Sequence, residues 1–281
     1  MKRLCLALGT MAVLSFSCSD NRNRDVVKVA TEVQDTVAQR DTQAIDTLEQ
    51  LITETPMPRA ADELFDDFLF NFAANKNLQL ERVAFPLPVI RNGKTTYTEK
   101  SEWKTERFFM RQGYYTVLFD DERQKAVIND TSVNRAVVEK IYFNTGAVQQ
   151  YMFSRLNGAW MLVGIKTEPI AANRNASFLE FYHQFVTDSL FQAESLGETV
   201  TFVGPDPDDD FARMEGILTA ETWPAFAPEL PVRMIYNIVY GEQKQNKGTM
   251  VLLMRGIANG QELEMSFRKE EDRWVLLKLT T

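Results

Sequence analysis

The chain has few residues with which to do side-chain chemistry: one histidine and two cysteines in 281 residues. The histidine, His183, falls five positions after Phe178, about 140° around a helix from it, and is expected to face solvent. A Ser/His/Asp triad, an HExxH zinc site and a histidine-rich metal cluster are therefore out of reach. The chain has only 13 glycines, none in a GxGxxG or Walker pattern, so no phosphate-cradling loop is present. Positive charge is not in excess: the net charge is −8. A general nucleic-acid binder needs a basic face to release counterions, so no nucleic-acid partner is expected. No metal or cofactor is implied. The acidic stretch Asp206, Asp208, Asp209 and Asp210 offers oxygen ligands but lacks the glycine and distal glutamate of an EF-hand loop, and reads as a solvated turn.

With 44% hydrophobic, 11% aromatic and 25% charged residues, the composition is that of a folded protein. The length fits one large domain or two of about 100 to 130 residues. Lys2 and Arg3 precede a short apolar run, Leu4 to Phe16, that ends in Ser17-Cys18 and a polar stretch, Ser-Asp-Asn-Arg-Asn-Arg. The run is too short to span a bilayer comfortably. Residues 1–17 read as a lipoprotein signal peptide, and Leu14-Ser15-Phe16-Ser17-Cys18 resembles a relaxed lipobox with Ser15 in place of the usual leucine. Cys18 is then the acylated N-terminus and the membrane anchor, on the periplasmic side or the outer-membrane surface of the cell envelope. Cys5 leaves with the signal, so no thiol remains for a disulfide, for catalysis or for a metal. Residues 18–57 read as a tether or stalk. Val26, Ala30, Val33, Val37, Ala44, Leu48 and Leu51 fall at helical steps, while Pro56 and Pro58 end the segment. A spacer and a partner-binding helix both fit this composition.

An internal repeat is the most informative feature. Phe65, Phe68 and Phe72 recur as Phe178, Phe181 and Phe185, each triplet on one helical stripe. Ala136–Thr167 aligns without a gap onto Met250–Thr281, matching Gly146 with Gly260, Phe153 with Phe267 and Trp160 with Trp274. Trp103 corresponds to Trp223 and Tyr115 to Tyr236, so the duplication pairs all four tryptophans. The expected units are a first α+β repeat over 58–170 and a second over 171–281.

Each repeat is expected to open with a helix, about 62–74 and 176–190. A hairpin over Asn92-Gly93 follows in the first, replaced by the longer acidic loop 204–210 in the second. A turn at Trp103 or Trp223 then leads into four strands forming an antiparallel meander. In Trp274–Leu279 both alternating faces are largely apolar, so something must cover the second face, and the repeats are expected to pack as an intramolecular pseudo-dimer.

On the Phe65/Phe68/Phe72 helix, Trp103, the Phe153–Trp160 hairpin and their second-copy partners, residues 60 to 281 resemble the nuclear transport factor 2-like superfamily. More narrowly, they resemble a Bacteroidota lipoprotein family, a domain of unknown function, with two such cone-shaped domains in tandem. The resemblance implies α+β, cystatin-like cones, each an N-terminal helix on a curved antiparallel sheet. It also implies that acid–base work, where present, uses a carboxylate and tyrosines in an apolar cavity. Tyr115, Tyr142, Tyr151, Tyr182, Tyr236 and Tyr240 are the candidate ligand-binding residues, with Glu139 and Glu264 as acids, and core packing is the plainer role for each. No catalytic residue is assigned. Non-catalytic binding of a small molecule or protein is the expected function, beside two alternatives, a lyase or isomerase and a structural part of an envelope assembly. Cys18→Ala is expected to abolish palmitate incorporation in cells, which metabolic labelling checks; a fully labelled variant would remove the anchor.

Overall fold

In both halves the folded chain begins where phenylalanines fall three and four apart and put their rings on one side of a helix. The computed structural model describes residues 59–281 apart from 207, 243–247 and 258. The signal segment, Cys18 and the stalk lie outside the described residues. Helix α1 (Phe65–Ala74) buries Phe65, Phe68 and Phe72 and stops at Asn75, whose extended backbone breaks the ladder. The Asn75 side chain then accepts from Leu78 N and caps α2 (Lys76–Arg82). The second half repeats the device: α3 (Ala176–Thr187) ends at Asp188, which accepts from Leu190 N and Phe191 N to cap α4 (Ser189–Glu194). Each cap contributes about 1 kcal/mol. The helix expected to run unbroken to residue 190 is therefore two helices, because Asp188 stabilises a new start.

Strands β1 (Leu87–Arg91) and β2 (Lys94–Thr98) form the expected hairpin, with Asn92 and Gly93 at φ 50 and 74, the geometry of a type I′ turn. Then come β3 (Tyr114–Phe119), β4 (Arg135–Tyr142), β5 (Ala147–Leu156) and β6 (Ala159–Pro169). The second half supplies β7 (Leu196–Asp206), β8 (Asp209–Leu218), a short helix α5 (Trp223–Phe226), β9 (Met234–Tyr240), β10 (Thr249–Gly256), β11 (Glu262–Glu270) and β12 (Arg273–Thr280). The acidic stretch is not a long loop. Asp206 pairs with Asp209 at the tip of a hairpin, and Asp208 N donates to the Asp206 carboxylate.

Among the described residues twelve strands form one sheet, in the order β2-β1-β6-β5-β4-β9-β3-β10-β11-β12-β7-β8. The meanders β4-β5-β6 and β10-β11-β12 are antiparallel as expected. The expectation of two wholly antiparallel sheets fails in three places: β1 runs parallel to β6, β7 parallel to β12, and β3 parallel to β9. The β3–β9 contact has its reason at the centre. Strand β3 pairs with β10, while β9 pairs with β4, so each half lends one strand to the other. Neither half closes its own hydrogen-bond ladder.

Apart from the buried Thr116 and Asn237, the exchanged strands are largely apolar on both faces, as a sheet covered on both sides requires. Along β3, Tyr115, Val117 and Phe119 join the core under α1 while Leu118 joins the core under α3. Along β9, Tyr236, Ile238 and Tyr240 face α1 and Ile235 faces α3. Alternation of side chains thus gives each helix pair its own face of one sheet. The packing is nearly the same twice. Phe65 meets Trp160 edge-on at 4.9 Å and Phe178 meets Trp274 at 5.3 Å. Phe153 lies edge-on to Phe72 at 5.4 Å and Phe267 to Phe185 at 5.8 Å. Each fully buried ring contributes about 1.5 to 3 kcal/mol. His183 does not face open solvent. It is half-buried and stacked on Phe143 at 5.3 Å, because that residue, just past β4, lies against α3.

The junction of β3 and β9 is stitched by side chains. Thr116 and Asn237 are register partners; Thr116 Oγ1 donates to Tyr236 O at 2.9 Å and Asn237 Oδ1 accepts from Leu118 N at 2.9 Å. Asn237 Nδ2 also donates to Glu139 at 2.8 Å. A fragment ending at residue 170 lacks β9 as partner for β4 and β10 as partner for β3. It is expected not to form a stable monomer; chromatography with circular dichroism checks this, and a monomeric fragment that unfolds cooperatively would contradict it.

Candidate functional site

A cavity of about 600 Å³ opens in the first half between the β1–β2 hairpin, the segment after the 3-10 turn Lys100–Glu102, and strands β5 and β6. Its wall carries Val89, Thr96, Trp103, Glu106, Gln149, Tyr151 and Ile165. One buried amide sets the geometry. Gln79 on α2 accepts from the Trp103 indole at 3.1 Å and from Glu106 N at 2.9 Å. It donates to Phe72 O at 2.8 Å and Glu106 O at 2.7 Å. Its full donor and acceptor capacity is spent on pinning the loop that carries Trp103 and Glu106.

Glu106 in turn faces a tyrosine and a lysine. Its Oε2 accepts from Tyr151 OH at 2.8 Å and from Lys140 Nζ at 2.6 Å, and its Oε1 accepts from Phe108 N at 3.0 Å. The ammonium also lies 5.2 Å from the Tyr151 ring centre and 5.6 Å from that of Tyr236, within cation–π range. Burial, then the Glu106 charge, pushes the phenols of Tyr142, Tyr151 and Tyr236 above their usual range, so they remain protonated donors.

The second half keeps the latch but not the Glu106, Lys140 and Tyr151 group. Gln192 Nε2 donates to Phe185 O at 3.2 Å and Gln192 Oε1 accepts from the Trp223 indole at 2.9 Å, matching Gln79, Phe72 and Trp103. In the gapless alignment, however, Lys140 and Tyr151 correspond to Met254 and Met265, and three residues past the tryptophan Glu106 gives way to Phe226. Trp223 is fully buried, whereas Trp103 is only partly so. A cavity of about 910 Å³ beside Met254 and Leu263 is lined also by Arg213, Glu262 and Glu264 and, from the first half, by Gln112 and Tyr114.

A second carboxylate–tyrosine cluster sits deeper. Asp66 on α1 accepts from Tyr115 OH at 2.7 Å and Tyr240 OH at 2.5 Å, with Arg255 Nη1 at 3.4 Å. It ties α1 of the first half to β3, β9 and β10, and so clamps the exchanged strands. Burial raises the Asp66 carboxyl above 3.8, with the tyrosines and Arg255 pulling the other way. Tyr115 and Tyr240 are likewise pushed up, mainly by burial.

The six tyrosines therefore do not share one site. Tyr142, Tyr151 and Tyr236 gather around Glu106, and Tyr115 and Tyr240 hold Asp66. Tyr182, on α3, is buried against Phe143 and donates to Pro231 O at 3.1 Å. Glu139 faces no tyrosine: Gln150, Asn173 and Asn237 amides donate to it at 3.0, 2.8 and 2.8 Å. Glu264 pairs with Lys125. The sequence reading missed Glu106, Lys140 and Asp66. Lys140, set among apolar residues in Val137-Val138-Glu139-Lys140-Ile141, was the available signal, as was Asp66 beside the Phe65 stripe. Among the described residues no group of three or more His, Cys, Asp or Glu side chains could hold a metal ion.

Helices on a curved sheet with a cavity at the mouth define a nuclear transport factor 2-like α+β protein. The chain is similar to a crystal structure of such a protein from Bacteroides fragilis, 39% identical, with a TM-score of 0.72 over 80% of this chain and 98% of that one. Residues 44–281 match the family described as "Domain of unknown function (DUF4348)", and the chain belongs to it. No curated protein matches it.

In the folded chain Asp66 binds its proton more tightly than in the unfolded one. The stability this contributes is complete below 3.8 and is lost as pH rises through the folded value. Asp66→Asn is therefore expected to gain on the wild type as pH climbs from about 3 to about 7. Urea midpoints check this, and a pH-independent difference would contradict it.

Proposed function

We propose that the chain is a lipid-anchored protein of the cell envelope, held through Cys18 on the periplasmic side or the outer-membrane surface, that binds a small molecule without transforming it. In this reading residues 58–170 and 171–281 are tandem repeats of one fold, packed as a pseudo-dimer, and only the first carries the Glu106, Tyr151 and Lys140 group. The observation that carries the reading is the first cavity: aromatic and apolar walls with Glu106, Tyr151 and Gln149 converging on them, in the size range of small-molecule sites. The loss of those groups from the second mouth supports a binding role for the first, since the latch and core are kept in both.

A second reading, acid–base catalysis, is favoured by one observation, the Glu106 carboxylate facing Tyr151 in the cavity wall. Against it, Lys140 already occupies the same carboxylate oxygen. If a bound ligand is turned over, Tyr151→Phe is expected to keep binding and lose product formation.

A thermal-shift screen of the full chain against glycans, muropeptides, bile acids, steroids and fatty acids tests the binding reading. A ligand at about 100 times its dissociation constant adds about 2.7 kcal/mol and raises the midpoint by about 5 to 10 °C. The shift is expected to vanish in Glu106→Gln/Tyr151→Phe. No shift across the panel, or one that survives this variant, would contradict the first cavity as the site.

A further inference from the structure

The rim of the first cavity carries more positive charge than its surroundings explain. Arg91, Lys94 and Lys104 line it together with the carboxylates of Glu102 and Glu106. Glu106 is matched by Lys140, and Glu102 is engaged by Glu99 N in a capping box. Counting Lys140, four cations face two carboxylates, in a chain whose net charge is −8. None of the three rim cations has an acidic partner within ion-pair distance among the described residues. All three are exposed at the mouth.

Two of them are also placed against each other. Arg91 and Lys94 are register partners directly across the β1–β2 hairpin. Like charges opposite one another in a strand pair are destabilising. The Asn92-Gly93 turn fixes this register, so the pair cannot slip apart. Behind the rim, Trp103, Val89 and Ile165 give the cavity an apolar wall.

From this juxtaposition we infer that the first cavity takes a small organic anion, its apolar body against Trp103, Val89 and Ile165 and its acid group at Arg91, Lys94 and Lys104. The anion supplies the missing counter-charge and relieves the repulsion between Arg91 and Lys94. The inference rests on the binding reading above and names its ligand class. Carboxylates, sulfonates and phosphates share the chemistry.

Two fluorescent probes that differ in one sulfonate separate the possibilities: anionic 8-anilinonaphthalene-1-sulfonate and neutral N-phenyl-1-naphthylamine. Both are titrated into the full chain at low salt, with the wild type and with Arg91→Ser/Lys94→Ser/Lys104→Ser. The substituted positions are exposed, so the fold is not at risk. The anionic probe is expected to bind the triple variant about tenfold more weakly and the neutral probe to change less than about twofold. Added salt is expected to weaken only the anionic probe. Equal losses for both probes, or no loss for the anionic one, overturn the anion while leaving a binding cavity in place. If neither probe binds the wild type, the binding reading falls and this inference with it.

Discussion

The fold hangs on an exchange of strands. β3 and β9 each leave the half of the chain that encodes them and complete the ladder of the other, β3 beside β10 and β9 beside β4. Where the two meet, regular pairing is sparse and side chains take over, with Thr116 and Asn237 bonding to the backbone of the opposing strand. On one face of this seam Glu139 is held by three amides; on the other Asp66 is held by two tyrosines and Arg255. Both clusters draw residues from the two halves. Breaking either leaves a buried carboxylate without its partners, which costs far more than the bonds add when intact.

Because the exchange puts the two helix pairs on opposite faces of one sheet, each pair covers its own core, and both halves contribute strands to each. The cores are nearly copies, with the same aromatic pairs and a bulge beside Phe153 and Phe267. The mouths are not. Beside the same glutamine–tryptophan latch stand Glu106, Tyr151 and Lys140 in one half and Phe226, Met265 and Met254 at the equivalent positions of the other. A scaffold that needed those charges for folding would show them twice. Their confinement to one half is the ground of the proposed binding role.

Much of the scaffold was legible in the sequence. The phenylalanine triplets, the tryptophan pairing and the Asn92-Gly93 turn rest on local spacing, and local spacing survives whatever the halves do to each other. The strand exchange was not legible, because β3 and β9 have the same apolar pattern whether they pair at home or away. The site was only half visible. Tyr151 was named as a candidate, but its partner Glu106 sits in an irregular segment with no periodicity, fixed there by Gln79 from another element. Asp66 was hidden for the opposite reason: it lies inside a helix where an acidic residue beside a phenylalanine stripe reads as the wet edge.

The two latches supply matched reporters inside one molecule, since the indole N–H groups of Trp103 and Trp223 donate to Gln79 and Gln192 at 3.1 and 2.9 Å. The most direct measurement is a heteronuclear NMR titration of tryptophan-labelled protein, with a small organic anion added stepwise and each indole signal assigned by substitution. The account predicts that the Trp103 signal moves with saturable dependence on concentration while Trp223 stays in place. Movement of Trp223 with Trp103 unmoved, or of neither signal, would contradict the assignment of the binding site to the first mouth.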